Sequence, residues 1–149
     1  MSEGNSLSKA GKYEALYTKL SKAPRDGSFP ENACREINET MGFLWTGFYY
    51  VKDDRLILGP YFGPPACEMI RKGMGVCGTS WAENRTIIVP DVEEFPGHIA
   101  CSSLSRSEIV IPLRDSEGNV TGVLDIDSEL LDNFDDVDKD WLEKISLLF

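Results

Sequence analysis

The stretch E-I-V-I-P-L-R-D-S-E-G-N-V-T-G-V-L-D-I-D, residues 108–127, decides the fold. Two apolar runs, 108–113 and 120–127, flank a turn at Asp115-Ser116-Glu117-Gly118-Asn119, the clearest hairpin in the sequence. Side chains alternate along a strand, so Asp125 and Asp127 point to one face. Glu108 opens the partner strand, and pairing across the hairpin brings it within a residue or two of them. Three acids at one end of otherwise apolar strands have no packing reason to be there. Like charges this close cannot all ionise cheaply, so at least one should hold its proton near neutral pH. Strand ends in water, or a Ca²⁺ or Mg²⁺ site, are the competing readings.

Upstream, the apolar run 86–89 stops at Pro90, and a long connection leads to the hairpin. It holds a Phe95-Pro96-Gly97 turn, the chain's only histidine, His98, and Cys101. Connections this long in a compact domain are either functional or disordered. Val92, Phe95, Ile99 and Leu104 argue against disorder. The loop is therefore read as folded over a pocket, with Cys101 as the reactive group.

The remaining chain supplies helices and further strands. Tyr13, Leu16, Tyr17 and Leu20 fall on one helical stripe that ends at Pro24-Arg25-Asp26-Gly27. Ser28 can cap a second helix, with Pro30 in its first turn, Gly42 past its end, and Ala33, Cys34, Ile37 and Met41 on its buried face. Residues 45–51 and 56–58 around a Lys52-Asp53-Asp54-Arg55 turn signal another hairpin. Pro60, Gly63, Pro64 and Pro65 break the chain before a short strand near residues 67–70, and a helix over about 76–84 carries Cys77. A final helix carries Phe134, Val137, Trp141, Ile145 and Leu148 on one stripe, with Asp135 as cap. Short connections favour antiparallel pairing, so the class is α+β, with helices covering a central sheet.

Composition sets the limits. A chain of 149 residues is expected to be one domain over 1–149. Its net charge of −10, with a pI near 4.5, disfavours nucleic acid and anionic membrane as partners. No apolar run approaches the roughly 18 residues that span a bilayer, and the polar start, residues 1–6, is no signal peptide. A cytoplasmic location is expected, where a disulfide is more often catalytic than structural.

Cys34 lies on the second helix's apolar stripe and reads as a small hydrophobe. Cys67, Cys77 and Cys101 each stand beside a loop or helix start. Zinc competes for them with His98, but no C-x-x-C pair is present and spacings of 10 and 24 residues are not those of zinc modules. No metal or other cofactor is expected. Cys77, at a helix start, should have a lowered pKa from the helix dipole. Trp45 and Tyr49 share one strand face, opposite Phe48 and Tyr50, and serve either core or pocket. His98 is read as a loop anchor rather than the partner of a hydrolytic cysteine.

Five segments occur in order: G-P-Y-F-G-P-P-A-C (residues 59–67), G-M-G-V-C-G-T (73–79), F-P-G-H-I-A-C (95–101), S-R-S-E-I-V-I-P (105–112) and G-V-L-D-I-D-S (122–128). Together they resemble the free methionine-(R)-sulfoxide reductases, which are single GAF domains. The resemblance covers roughly residues 45–128. It implies a GAF fold, free L-methionine-R-sulfoxide as substrate and thioredoxin as reductant. It matches Cys101 to the nucleophile, Cys67 and Cys77 to the other active-site cysteines, Glu108, Asp125 and Asp127 to the acidic cluster, and Trp45 and Tyr49 to the aromatic pocket. Cys34 has no place in these motifs.

The chemistry agrees with that implication. Sulfoxide reduction needs a thiolate to attack sulfur, an acid to protonate the departing oxygen, and a second thiol to resolve the sulfenic acid. Cys67, on a proline-flanked segment, is the favoured resolver, with Cys77 second. The acids can also bind the substrate ammonium, and backbone N–H groups after Gly73 and Gly75 would suit its carboxylate. The rival is a non-catalytic GAF sensor, usually found beside an output domain that this sequence does not show. The fold admits a homodimer.

Overall fold

The computed structural model describes residues 8–98 and 101–149. The polar start and, in the long loop, Ile99 and Ala100 lie outside the described residues. The elements run α1 (Lys9–Lys22), α2 (Phe29–Met41), β1 (Trp45–Lys52), β2 (Arg55–Phe62), β3 (Met69–Arg71), α3 (Gly75–Glu83), β4 (Ile87–Val89), β5 (Ser107–Arg114), β6 (Val120–Ser128) and α4 (Asp136–Ser146). All strand pairs are antiparallel, in one six-stranded sheet of order β3-β2-β1-β6-β5-β4.

Alternation along the adjacent strands β5 and β6 splits the sheet chemically. Ile109, Ile111, Leu124 and Ile126 face one way and join Phe48, Tyr13, Leu16, Leu20, Ile37, Leu142 and Ile145 in a core with α1, α2 and α4. Val110, Val123, Trp45 and Tyr49 face the other way and pack with Val76, Cys77 and Trp81 of α3. Each fully buried aliphatic side chain contributes roughly 1.5–3 kcal/mol. The doubled core on β5 and β6 therefore holds them rigidly in register.

Three local expectations are corrected. Pro60 does not end a strand: β2 runs on to Phe62, because pairing with β1 shifts between Gly47 and Tyr49, leaving an extra β2 residue there. Proline is tolerated at such a bulge, where no ladder N–H is required. The strand placed near 67–70 is Met69–Arg71, since Leu56 pairs with Ile70. Gly42 ends α2 in the left-handed conformation as expected, but Ser28 makes no side-chain cap bond.

One buried acid escaped the sequence. Asp138 falls in the first turn of α4, where a carboxylate suits the helix dipole. It is in fact fully buried. Its Oδ1 accepts from the Tyr13 hydroxyl at 2.5 Å, and its Oδ2 accepts from Lys9 Nζ at 2.7 Å and from the Asp135 backbone N–H at 2.9 Å. Asp135 completes a reciprocal capping box. The cluster ties α1 to α4, 125 residues apart in sequence. Asp138→Ala, by orphaning these donors, should cost about 3 kcal/mol and lower Tm by roughly 10 °C. Tyr13→Phe should cost roughly 1 kcal/mol. Thermal denaturation checks both values, and a loss under about 0.5 kcal/mol for Asp138→Ala would contradict this role.

Candidate active site

The acids expected from the hairpin meet on the α3 side of the sheet. Glu108 pairs with Asp127 and Val110 with Asp125 across β5 and β6, so the three carboxyls form a tight triangle. Glu108 and Asp125 are only 6% and 5% exposed. Ser105 donates its hydroxyl to Asp127 Oδ1 at 2.9 Å. Among the described residues, neither lysine nor arginine pairs with the triangle, and the basic side chain that meets it is the His98 imidazole, whose Nε2 lies 3.8 Å from Glu108 Oε1.

Burial without a counter-ion dictates the charge state. Desolvation, reinforced by Asp125, pushes Glu108 well above the usual carboxylate range, and the same two causes raise Asp127. Asp125 is also raised by burial, but the neighbouring Glu108 carboxyl and Cys77 thiol oppose that rise. The arrangement favours the first ionisation at Asp125, with Glu108 and Asp127 as proton-bearing neighbours. Burial lowers His98 despite Asp125, which keeps the imidazole neutral more readily. His98, read as a loop anchor, thus faces the acids directly.

The other wall is aromatic. Trp45 stacks on Tyr49 at 6.0 Å and on Tyr61 at 5.4 Å between ring centroids. Gly47 permits this: a Cβ there would lie 2.4 Å from the Trp45 ring and 2.5 Å from Tyr61 Cβ. The Tyr49 hydroxyl donates to the Cys67 carbonyl at 2.8 Å, anchoring the Pro65-Ala66-Cys67 segment against the sheet. Among the described residues, Trp45 Nε1 and Asp125 Oδ1 are buried without hydrogen-bond partners.

Cys67 and Cys101 are joined by a disulfide, with Cα atoms 5.2 Å apart. The cavity bounded by Trp45, Tyr49, His98, Cys101, Glu108 and Asp125 has a volume of about 30 Å³ in this linked state. That holds a water or two and excludes an amino acid. A much larger groove of about 760 Å³ lies across the molecule, lined by Phe29, Tyr50, Pro112 and Phe149, away from every candidate catalytic group.

Cys77 corrects an expectation. Its position in α3 suggests a dipole-lowered thiol, yet it is buried, and desolvation with Asp125 and Glu108 pushes its pKa well up. Low dielectric and adjacent acids outweigh the helix dipole. Cys34 is fully buried in the helical core, and burial pushes its thiol up to about 12. Gly73 and Gly75 do not line the cavity, so the anion cradle expected there is not part of it. Sequence reading also missed Ser105 and the closeness of His98, for want of any local pattern tying loop residues to a strand end.

A sequence model of the GAF domain family matches residues 31–148. The chain belongs to the GAF domain family. This GAF domain is 55% identical over 115 residues to GAF domain-containing protein A of Dictyostelium discoideum, covering 76% of this chain and 72% of that one. It is 49% identical over 107 residues to the free methionine-R-sulfoxide reductase of Saccharomyces cerevisiae, covering 70% of this chain and 59% of the yeast protein's length. In structure it is similar to the free methionine-R-sulfoxide reductase of Neisseria meningitidis in complex with its substrate, with a TM-score of 0.87 and 40% identity over 97% of this chain and 89% of that one.

Raised carboxyl pKa values carry a sign. Above the usual carboxylate range the unfolded chain releases the Glu108 proton while the folded one keeps it, so stability falls as pH rises toward the raised value. Each pH unit in that window costs about 1.4 kcal/mol. Glu108→Gln, which mimics the neutral acid, should gain stability over wild type by more at pH 8 than at pH 5. Denaturant unfolding at the two pH values checks this, and a gain independent of pH would contradict it.

Proposed function

We propose that this protein, acting as one GAF domain over 1–149, reduces free L-methionine-R-sulfoxide to L-methionine. The observation that carries the reading is the convergence of Cys101, proton-bearing acids and an aromatic wall on one cavity. The relatives in yeast and Neisseria, the latter solved with its substrate, support the substrate choice. In this scheme the Cys101 thiolate attacks the sulfoxide sulfur. Oxygen passes to Cys101 as a sulfenic acid, Glu108 or Asp127 supplying the proton, and methionine leaves. Cys67 then attacks Cys101 Sγ, a disulfide forms and water departs. A dithiol reductant, thioredoxin by resemblance, restores both thiols.

Each residue contributes a stated part. Asp125, the acid that ionises first, suits the substrate ammonium, which a peptide-embedded methionine lacks. Trp45 and Tyr49 enclose the S-methyl group and exclude water, strengthening every charge interaction inside. The Cys67–Cys101 linkage favours Cys67 as resolver. Cys77, buried and held protonated, is a poor nucleophile. The loop from Pro90 to Ala100, of which 99 and 100 lie outside the described residues, acts as a lid, and a cavity of about 30 Å³ implies that it opens once the disulfide is reduced.

The test is turnover coupled to NADPH consumption through thioredoxin and thioredoxin reductase. Free methionine-R-sulfoxide should be reduced, with N-acetylated or peptidyl forms at least about 100-fold slower because they lack the ammonium that the buried acids would pair with, and with the S epimer slower because its oxygen and S-methyl group exchange places in the pocket. Comparable turnover of a peptidyl substrate would contradict the reading.

Cysteine variants separate the steps. Cys101→Ser should abolish methionine formation. Cys67→Ser should still release about one methionine per enzyme without reductant, because the first step precedes resolution. Cys34→Ala should keep its activity per folded molecule. A retained burst in Cys101→Ser, measured by single-turnover quench, would overturn the nucleophile assignment.

A further inference from the structure

Behind the cavity, Cys77 Sγ and one carboxylate oxygen each of Glu108 and Asp125 lie within 4.8 Å of one another, all buried. They come from α3, β5 and β6, so three separate elements aim them at one point. Among the described residues Asp125 Oδ1 has no hydrogen-bond partner, although its residue is 95% buried. An orphaned buried acceptor opposes folding, and a cation or donor at that point would satisfy it. The His98 imidazole, with Nε2 3.8 Å from Glu108 Oε1, stands on the cavity side as a fourth donor.

We propose that Cys77, Glu108 and Asp125 form a binding site for a borderline-soft divalent cation, best fitted by zinc, with His98 or a water as fourth ligand. The donor set decides the metal: calcium and magnesium take oxygens alone, whereas thiolate with carboxylate and imidazole suits zinc. Zn–S of about 2.3 Å and Zn–O of about 2.0–2.2 Å place tetrahedral ligand atoms about 3.5 Å apart, which small side-chain rotations reach from the present spacing. The adjacent cavity of about 30 Å³ admits an ion. This ligand set differs from the three-cysteine one that sequence spacing disfavours, since it uses one cysteine and two acids. Because the metal occupies the acids proposed to bind the substrate ammonium, cation and substrate exclude each other, and zinc would inhibit the enzyme.

The site exists with the Cys67–Cys101 disulfide intact, so it can be tested without any turnover. In disulfide-linked Cys34→Ala protein, Cys77 is the sole thiol. Titration with Co²⁺ should give a sulfur-to-cobalt charge-transfer band saturating at one ion per chain, bleached by Zn²⁺. The band should vanish in Cys77→Ser, and calorimetric Zn²⁺ affinity should fall at least tenfold in Cys77→Ser and in Asp125→Asn, with circular dichroism confirming that each is folded. Absence of the band, or a band and affinity unchanged in Cys77→Ser, would overturn the site. That failure would leave the reductase reading untouched, because the readout contains no substrate.

Discussion

Three clustered carboxyl groups at one end of β5 and β6, two of them buried and Asp127 half-buried, with a single imidazole beside them, are the constraint on which the rest of the molecule depends. Holding Glu108, Asp125 and Asp127 together out of water opposes folding, and only protons or a bound cation relieve it. That cost needs a rigid support. The opposite faces of the same strands supply it: Ile109, Ile111, Leu124 and Ile126 lock into the helical core, and the Asp138 cluster fastens α1 to α4 behind them. The stability of one face thereby sustains the strained chemistry of the other.

From this constraint the functional features follow. Carboxyls that retain protons can donate them to a departing oxygen, and an acid that ionises first can hold an ammonium group. A thiol among them cannot ionise cheaply, which makes Cys77 a poor nucleophile and leaves Cys101 on the loop as the proposed one. Cys67 is brought to Cys101 by the proline-rich segment that Tyr49 anchors through its hydroxyl. The same strand face that presents Tyr49 presents Trp45, and Gly47 lets the indole pack closely enough to close the cavity.

Much of this was legible in the sequence because it follows from alternation. The period of two along 120–127 places Asp125 and Asp127 together, and the hairpin turn fixes Glu108 opposite Asp127. The same rule places Trp45 with Tyr49, while the helical period of α2 predicts the core role of Cys34. What was not legible depends on contacts distant in sequence. Burial of Asp138 requires Tyr13 and Lys9 from the other end of the chain. The raised pKa of Cys77 requires two acids from other elements, which a helix position cannot reveal. His98 reaches Glu108 only through the path of the loop. Pro60 in a strand needed the bulge opposite Gly47 and Tyr49 to be tolerated.

The protonation state of the triangle is the most direct measure of this account. Infrared difference spectroscopy of the disulfide-linked protein near neutral pH resolves the carbonyl stretch of neutral carboxyl groups from that of ionised ones. A proton-bearing triangle gives neutral-carboxyl bands at pH 7, diminished by Glu108→Gln and again by Asp127→Asn, persisting to a higher pH than those of ordinary side-chain acids. A wild-type spectrum at pH 7 with no neutral-carboxyl band assignable to these residues would contradict it.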